Sequence, residues 1–134
     1  MKCLLLLLCF TTALTAQPCD PDSINWHDPE HVSQYICSTY PDIADEILQT
    51  VQYESGFRPF VKNPKSSAYG LMQVTKACAE GLGHSYKLIV ECPSENLEAG
   101  VMYLKMCLKK AKGSYQKAML YYEFGLWYEK QSNP

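Results

Sequence analysis

The apolar residues of this 134-residue chain recur at helical spacing in two long stretches. Between residues 41 and 51 they lie four, one and three positions apart, at Ile43, Ile47, Leu48 and Val51. Between residues 94 and 110 they lie four, three and four positions apart, at Leu97, Val101, Leu104 and Leu108. This period matches one face of an α-helix and not the alternation of a strand. The pattern therefore predicts an all-α or mostly α fold.

Residues typical of helix starts indicate where four helices begin. They are Asp28 with Pro29, Pro41 with Asp42, Ser94 with Glu95 and Glu98, and Ser114. The first helix is predicted to run through Val32 and Ile36, and the last to be aromatic and to cover residues 115–130. The third ends in a lysine-rich turn before Gly113, which suits the helix dipole and a glycine C-cap.

The segment between the second and third predicted helices, residues 56–83, is rich in glycine and proline. It is predicted to be mostly loop, with one short helix near residues 75–80. Because the chain shows no internal repeat and no interdomain linker, residues 17–134 are predicted to form a single small domain.

The first sixteen residues have the layout of a secretory signal peptide. Lys2 supplies the positive charge, residues 4–10 form an apolar run, and residues 11–16 are mostly small. The run is too short to span a bilayer. We expect cleavage after Ala16, with Ala13 as an alternative and an uncleaved anchor as a third option. The protein is accordingly expected to be exported, to the periplasm or the extracellular space.

The seven cysteines bear on disulfides and on metal binding. Cys3 and Cys9 belong to the signal, which leaves Cys19, Cys37, Cys78, Cys92 and Cys107. Export permits disulfides, and the odd number leaves at least one thiol unpaired in a monomer. Closeness in sequence suggests the pairs Cys19–Cys37 and Cys78–Cys92, although connectivity is not deducible from sequence. No pair has C-x-x-C spacing and the histidines are scattered, so no metal site is predicted.

The charge of the chain argues against nucleic acid as a partner. Its formal net charge is −2, and nucleic-acid-binding domains usually carry a basic surface. The lysine-rich stretch at residues 105–117 is interpreted as a solvated helix end.

Glu54 is the ionisable residue that stands out in the second predicted helix. On a helical wheel it lies about 20° from Ile43 and Ile47, so the side that packs on the core continues into its carboxylate. Burial would raise the pKa of such a group, and a carboxylic acid that stays protonated near neutral pH can act as a general acid. The alternative is that the helix has frayed by this point and that the side chain points into water.

Four short segments follow one another in an order that resembles a known family. They are "ESGF" from Glu54, "SAYGLMQV" from Ser67, "NLEAGVMYL" from Asn96 and "AMLYYEFG" from Ala118. Together they resemble the lytic transglycosylases in their soluble, lysozyme-like form, which share their fold with goose-type lysozyme. The resemblance covers about residues 42 to 125. It implies a small lysozyme-like helical domain with a loop-rich substrate groove.

The resemblance also implies a role for individual residues. Glu54 matches the single catalytic acid, and Ser55 matches a serine expected near the reacting sugar. The substrate groove would be lined by Gly70, Leu71, Met72 and Gln73. Tyr122 matches a tyrosine expected to hydrogen-bond the catalytic acid or the substrate. Asn96, Ala99, Gly100, Tyr103 and Leu104 match a segment that serves mainly as a packing helix.

The implied reaction is cleavage of the β-1,4 bond between N-acetylmuramic acid (MurNAc) and N-acetylglucosamine (GlcNAc), with formation of 1,6-anhydro-MurNAc. No metal and no organic cofactor are required. The partner would be peptidoglycan glycan strands, and the task local opening of the cell wall. Secretion, conjugation and phage assemblies are the candidate machines.

One position departs from the family pattern. Glu123 follows Tyr122 where the family normally has asparagine. If Glu123 faces solvent, the family reaction is expected. If it faces the groove, it would raise the pKa of Glu54 or position a water. Two other functions therefore stay open: a hydrolytic muramidase that uses Glu123, and a non-catalytic module that binds peptidoglycan for a secretion or phage system.

Overall fold

The computed structural model describes residues 24–128. The predicted signal peptide and Cys19 lie outside this range. The described part is mostly helical, which confirms the predicted fold class. Its helices are α1 (Pro29–Thr39), α2 (Ala44–Ser55), α3 (Lys76–Gly81), α4 (Tyr86–Glu91), α5 (Pro93–Lys110) and α6 (Tyr115–Phe124), with a 3-10 turn at Pro41–Ile43 before α2. None of these helices is long and apolar enough to cross a bilayer.

Side-chain caps confirm two of the four predicted helix starts, Asp28 and Ser114, whereas Pro41 and Asp42 open the 3-10 turn and α2 itself begins at Ala44. The side chain of Asp28 accepts a hydrogen bond from the Glu30 N–H, and Ser114 Oγ accepts one from the Lys117 N–H at 3.4 Å. The predicted short helix is α3, whose N-cap is Thr75. Helix α5 begins at Pro93, one residue before the predicted Ser94, because proline suits the first helical turn, where its missing N–H costs no hydrogen bond.

Two helix predictions differ from the structure. Helix α6 ends at Phe124 and not near residue 130, because Gly125 has a φ of 91°, which breaks the helical path. Helix α4 was not predicted. It has six residues, too few for a helical period to show in the sequence, and the side chain of its N-cap Ser85 makes no capping hydrogen bond.

The core is built mainly from α1, α2 and α5. Helix α1 packs against α2, and α5 packs against both α4 and α6. The apolar positions that predicted helices in the sequence also fill this core. Seven of its buried residues are Val32, Ile36, Ile47, Val51, Leu97, Val101 and Leu104. Helix α5 is therefore the central helix, and the loop before α3 lies against it.

The predicted cysteine pairs are wrong. Cys37, Cys78 and Cys107 are free thiols, which excludes both Cys19–Cys37 and Cys78–Cys92. Cys37 is exposed near the end of α1, whereas Cys78 is half-buried in α3. Closeness along the chain failed here because a disulfide requires two Cβ atoms to point at each other, which sequence distance does not determine.

Candidate active site

Glu54 lies in the last turn of α2 and is half-buried. The same helix carries Ile47 and Val51, which are fully buried in the core. Burial of the carboxyl is the main cause that raises the pKa of Glu54 to about 7, and the negative charge of Glu123 adds to it. The carboxyl is therefore protonated in a substantial fraction of molecules at neutral pH, as a proton donor requires.

Helix α2 ends immediately after Glu54, and the local sequence explains why. Gly56 is the C-cap, with a left-handed φ of 56°, and its N–H donates to the Gln52 carbonyl. The carbonyl of Ser55 accepts a hydrogen bond from Arg58 Nε at 2.8 Å. These bonds satisfy groups that a helix end leaves unpaired, so the helix ends here without fraying.

The loop that follows passes through Gly70, where φ is 76°. A Cβ at this position would lie 2.5 Å from Asn96 Nδ2, so only glycine fits. Asn96, buried on α5, accepts a hydrogen bond from the Met72 N–H at 3.0 Å and donates one to the Tyr69 carbonyl at 2.8 Å. A single amide side chain therefore holds both sides of the turn.

The side chain of Met72 packs on helix α5 and thereby supports this turn. Its side chain is fully buried, and it packs so closely on Gly100 that a Cβ there would lie 2.3 Å from Met72 Cβ. The segment that was matched as a packing helix thus has two specific tasks: Asn96 binds the turn by hydrogen bonds, and Gly100 leaves room for it.

Gln73 has a left-handed backbone with a φ of 50°, which is uncommon for a residue other than glycine. Its Nε2 donates to the carbonyls of Val61 and Gly70, each at 3.1 Å. These two bonds fix the side chain, and they offset the free-energy cost of the left-handed backbone conformation. The amide is half-buried at the edge of a cavity. A strained but well-supported residue beside a cavity is a common feature of functional sites.

Tyr122, in the last turn of α6, joins this helix to the turn. Its hydroxyl donates to the Met72 carbonyl at 2.7 Å, and its ring lies 5.2 Å from that of Tyr103. Burial first, and then the negative charge of Glu54, raise the pKa of Tyr122 well above its usual value. The hydroxyl therefore stays protonated and donating. In this structure its partner is the backbone of the turn, whereas the family resemblance implies the acid or the substrate as partner.

A cavity of about 280 Å³ lies beside these groups. Its lining includes Gln73, Thr75, Tyr122 and Glu123. A larger groove, of about 820 Å³, runs between α2 and α6 and is lined mostly by apolar atoms, with Tyr53 and Leu120 among its residues. Glu123 borders both spaces. The two spaces therefore adjoin at Glu123.

The structure brings together most of the residues that the sequence singled out. Gln73 and Tyr122 line one cavity, and Glu54 interacts electrostatically with Tyr122. Ser55 and Met72 differ, because their side chains are 1% and 0% exposed. Ser55 Oγ donates to the Val51 carbonyl at 3.1 Å. In this conformation neither side chain can contact a sugar, so both shape the site by packing.

Sequence reasoning missed two features of the site. Asn96 was matched only to a packing helix, but its side chain holds the turn by hydrogen bonds, for which the sequence signal was an amide at the start of an otherwise apolar helical pattern. Thr75 caps α3 and also lines the cavity. Both roles depend on which loop packs against which helix, and the local sequence does not specify that.

Comparison of the chain with known proteins gives one match, to a protein family. A family model described as Transglycosylase SLT domain matches residues 34–132. That range contains every residue of the candidate site. No curated protein and no solved structure matches the chain.

Proposed function

Because the chain belongs to the transglycosylase SLT domain family, whose members act on peptidoglycan, we propose that it is a lytic transglycosylase with Glu54 as its catalytic acid. The observation that carries the proposal is the half-buried carboxyl at the end of α2, whose pKa is raised to about 7. Gln73 and Tyr122, which line the adjacent cavity, support the same assignment.

The proposed reaction needs only one acid–base group. Glu54 donates its proton to the glycosidic oxygen between MurNAc and GlcNAc, and the bond from that oxygen to the anomeric carbon breaks. The acetamido group of MurNAc stabilises the positive charge that develops, as in other substrate-assisted glycosidases. The Glu54 carboxylate then takes the proton of the C6 hydroxyl of MurNAc. The C6 oxygen bonds to the anomeric carbon and closes a 1,6-anhydro ring, so no water is consumed.

The residues around Glu54 have distinct tasks in this proposal. The apolar side of α2 keeps the carboxyl protonated until substrate arrives. Because Gln73 Nε2 donates to the Val61 and Gly70 carbonyls, its Oε1 is the atom left to accept a hydrogen bond from an acetamido N–H or a hydroxyl group. Tyr122 holds the Met72 carbonyl and thereby the position of the turn. Gly70 lets the backbone pass close to Asn96.

The test is product analysis of purified protein incubated with peptidoglycan. Mass spectrometry should detect 1,6-anhydro-muropeptides, and Glu54→Gln should reduce their release at least ~100-fold, the usual contribution of a general acid. Glu91→Gln is the matched control, because Glu91 is exposed on α4 and should leave the rate unchanged. Full activity of Glu54→Gln would overturn the assignment. Binding of peptidoglycan without any product would instead favour a non-catalytic binding module.

We further propose that the protein is exported and opens the cell wall locally for a secretion, conjugation or phage assembly. The proposal rests on the N-terminal residues 1–16 and on a substrate that lies outside the cytoplasm. N-terminal sequencing of the exported protein should begin at Gln17, or at Leu14 for the alternative site. An N-terminus that still includes Met1 would contradict cleavage.

A further inference from the structure

Glu123 is a second carboxylate at the candidate active site. It lies in the last turn of α6, directly after Tyr122, and its side chain is exposed. It lines the 280 Å³ cavity together with Gln73 and Tyr122, and it also borders the larger groove along α2. A solvated position at the junction of two spaces gives this carboxylate access to water as well as to any ligand in the cavity.

The electrostatic interaction between the Glu54 and Glu123 carboxyls supports the placement of Glu123 at the candidate active site. Within residues 24–128, Glu123 is the charged residue that, after burial, contributes to the raised pKa of Glu54. Among the other titratable groups, the Tyr115 and Tyr122 hydroxyls also interact with Glu54. These tyrosines cannot serve as a base for water near neutral pH, because their pKa values are raised further above 10. Glu123 is thus an exposed carboxylate that lines the cavity and also interacts with Glu54, which is the placement that a base for water requires.

We propose that Glu123 is a second acid–base residue, which activates a water molecule and so diverts part of the cleavage from ring closure to hydrolysis. The inference rests on the proposed function of Glu54, and it specifies the products of that same site. It predicts that the enzyme releases two kinds of MurNAc ends from one substrate.

The hydrolytic branch balances as follows. Glu54 donates its proton to the glycosidic oxygen, and the bond to the anomeric carbon breaks. The oxygen of water bonds to the anomeric carbon while the Glu123 carboxylate accepts a proton from that water. The product is a reducing MurNAc end, one water heavier than the anhydro end. Glu123 then releases its proton to solvent, and Glu54 takes one up. Inverting glycosidases use the same division of roles, with one carboxyl as the general acid and the other as the general base that activates water.

The experiment uses the full chain, purified peptidoglycan and water labelled with heavy oxygen. Mass spectrometry should find labelled reducing ends beside unlabelled anhydro ends. Glu123→Gln keeps the size of the side chain but cannot accept the proton, so the labelled fraction should fall at least ~10-fold while anhydro ends persist. Glu123→Asp keeps a carboxylate and should restore part of the labelled fraction. Glu91→Gln serves again as the control.

The outcomes separate the two proposals. Anhydro ends with no labelled ends in the wild type, or an unchanged labelled fraction in Glu123→Gln, would overturn the role of Glu123 and leave the transglycosylase intact. Labelled ends alone, lost in both Glu54→Gln and Glu123→Gln, would support the role of Glu123 and overturn ring closure. Release of neither kind by the wild type would overturn both. Because Glu123 is exposed, its variants should fold, and circular dichroism checks this.

Discussion

The half-buried carboxyl of Glu54 gives the protein a measurable dependence on pH. Burial and the charge of Glu123 raise its pKa to about 7, and a general acid must be protonated to act. The rate of peptidoglycan cleavage should therefore be lost progressively as the pH rises through about 7. Initial rates measured from about pH 5 to about pH 9 would check this. A rate that stays constant through about pH 8 would contradict the assignment of Glu54.

The same residue should affect stability with a definite sign. The folded-state pKa of Glu54 is raised from its ordinary value of 4.5 to about 7, so the stability of the fold declines as the pH rises between these two values, and the full cost of charging the carboxyl is reached above about pH 7. Glu54→Gln removes that charge. We expect the variant to be more stable than the wild type at about pH 8, by ~1 kcal/mol after allowance for solvent screening, and equally stable at about pH 4.

Urea unfolding of both proteins at the two pH values would measure this difference. Glu91→Gln, whose carboxylate is exposed, should show no such pH dependence. A destabilised Glu54→Gln at both pH values would indicate that the carboxyl makes a favourable contact in the folded state. Burial would then not explain the raised pKa of Glu54, and the assignment of Glu54 as the catalytic acid would lose its physical basis.

The turn at residues 69–74 and helix α5 act as one unit. Buried Asn96 accepts from the Met72 N–H and donates to the Tyr69 carbonyl, so Asn96→Ala would leave the buried Met72 N–H without this partner and the half-buried Tyr69 carbonyl with only its bond from the Val74 N–H. We expect the free energy of unfolding to fall by ~2–4 kcal/mol. Glu98→Ala, an exposed change on the same helix, should alter it by less than ~0.5 kcal/mol.

Activity in Asn96→Ala should fall even at temperatures where the variant is fully folded, because the turn carries Gln73. Peptidoglycan cleavage assayed well below the melting temperature would separate the two effects. Wild-type activity in a folded Asn96→Ala protein would show that the turn keeps its position without the amide.

At the scale of the whole molecule, the part of the chain from residue 24 to residue 128 holds three free thiols at different depths. Cys37 is exposed, Cys78 is intermediate and Cys107 is buried. Alkylation should therefore modify Cys37 rapidly in the native protein and Cys107 only after unfolding. Peptide mass spectrometry after labelling in buffer and in urea would check the order. Resistance of Cys37 to labelling in both conditions would show that this thiol is bonded and would contradict the structure.

Several features of this protein could be read from local sequence. Asp28 and Ser114 predicted helix starts, because a capping side chain acts on the N–H groups two or three residues ahead. The helical wheel placed Glu54 beside the apolar face of α2, since that geometry depends only on the 3.6-residue period. Helix α4 was not predicted because its six residues are too few to show a helical period.

The remaining features depend on contacts between distant parts of the chain. Ser55 and Met72 were expected near the sugar, but packing buries both. The bond from Asn96 to Met72 spans 24 positions, and that from Tyr122 to Met72 spans 50. The sequence by itself determined five of the six α-helices in residues 24–128 and the acid at the end of one of them, because those features arise between near neighbours. Only the tertiary structure decided which side chains surround the acid, because that depends on how α2, α5 and α6 pack.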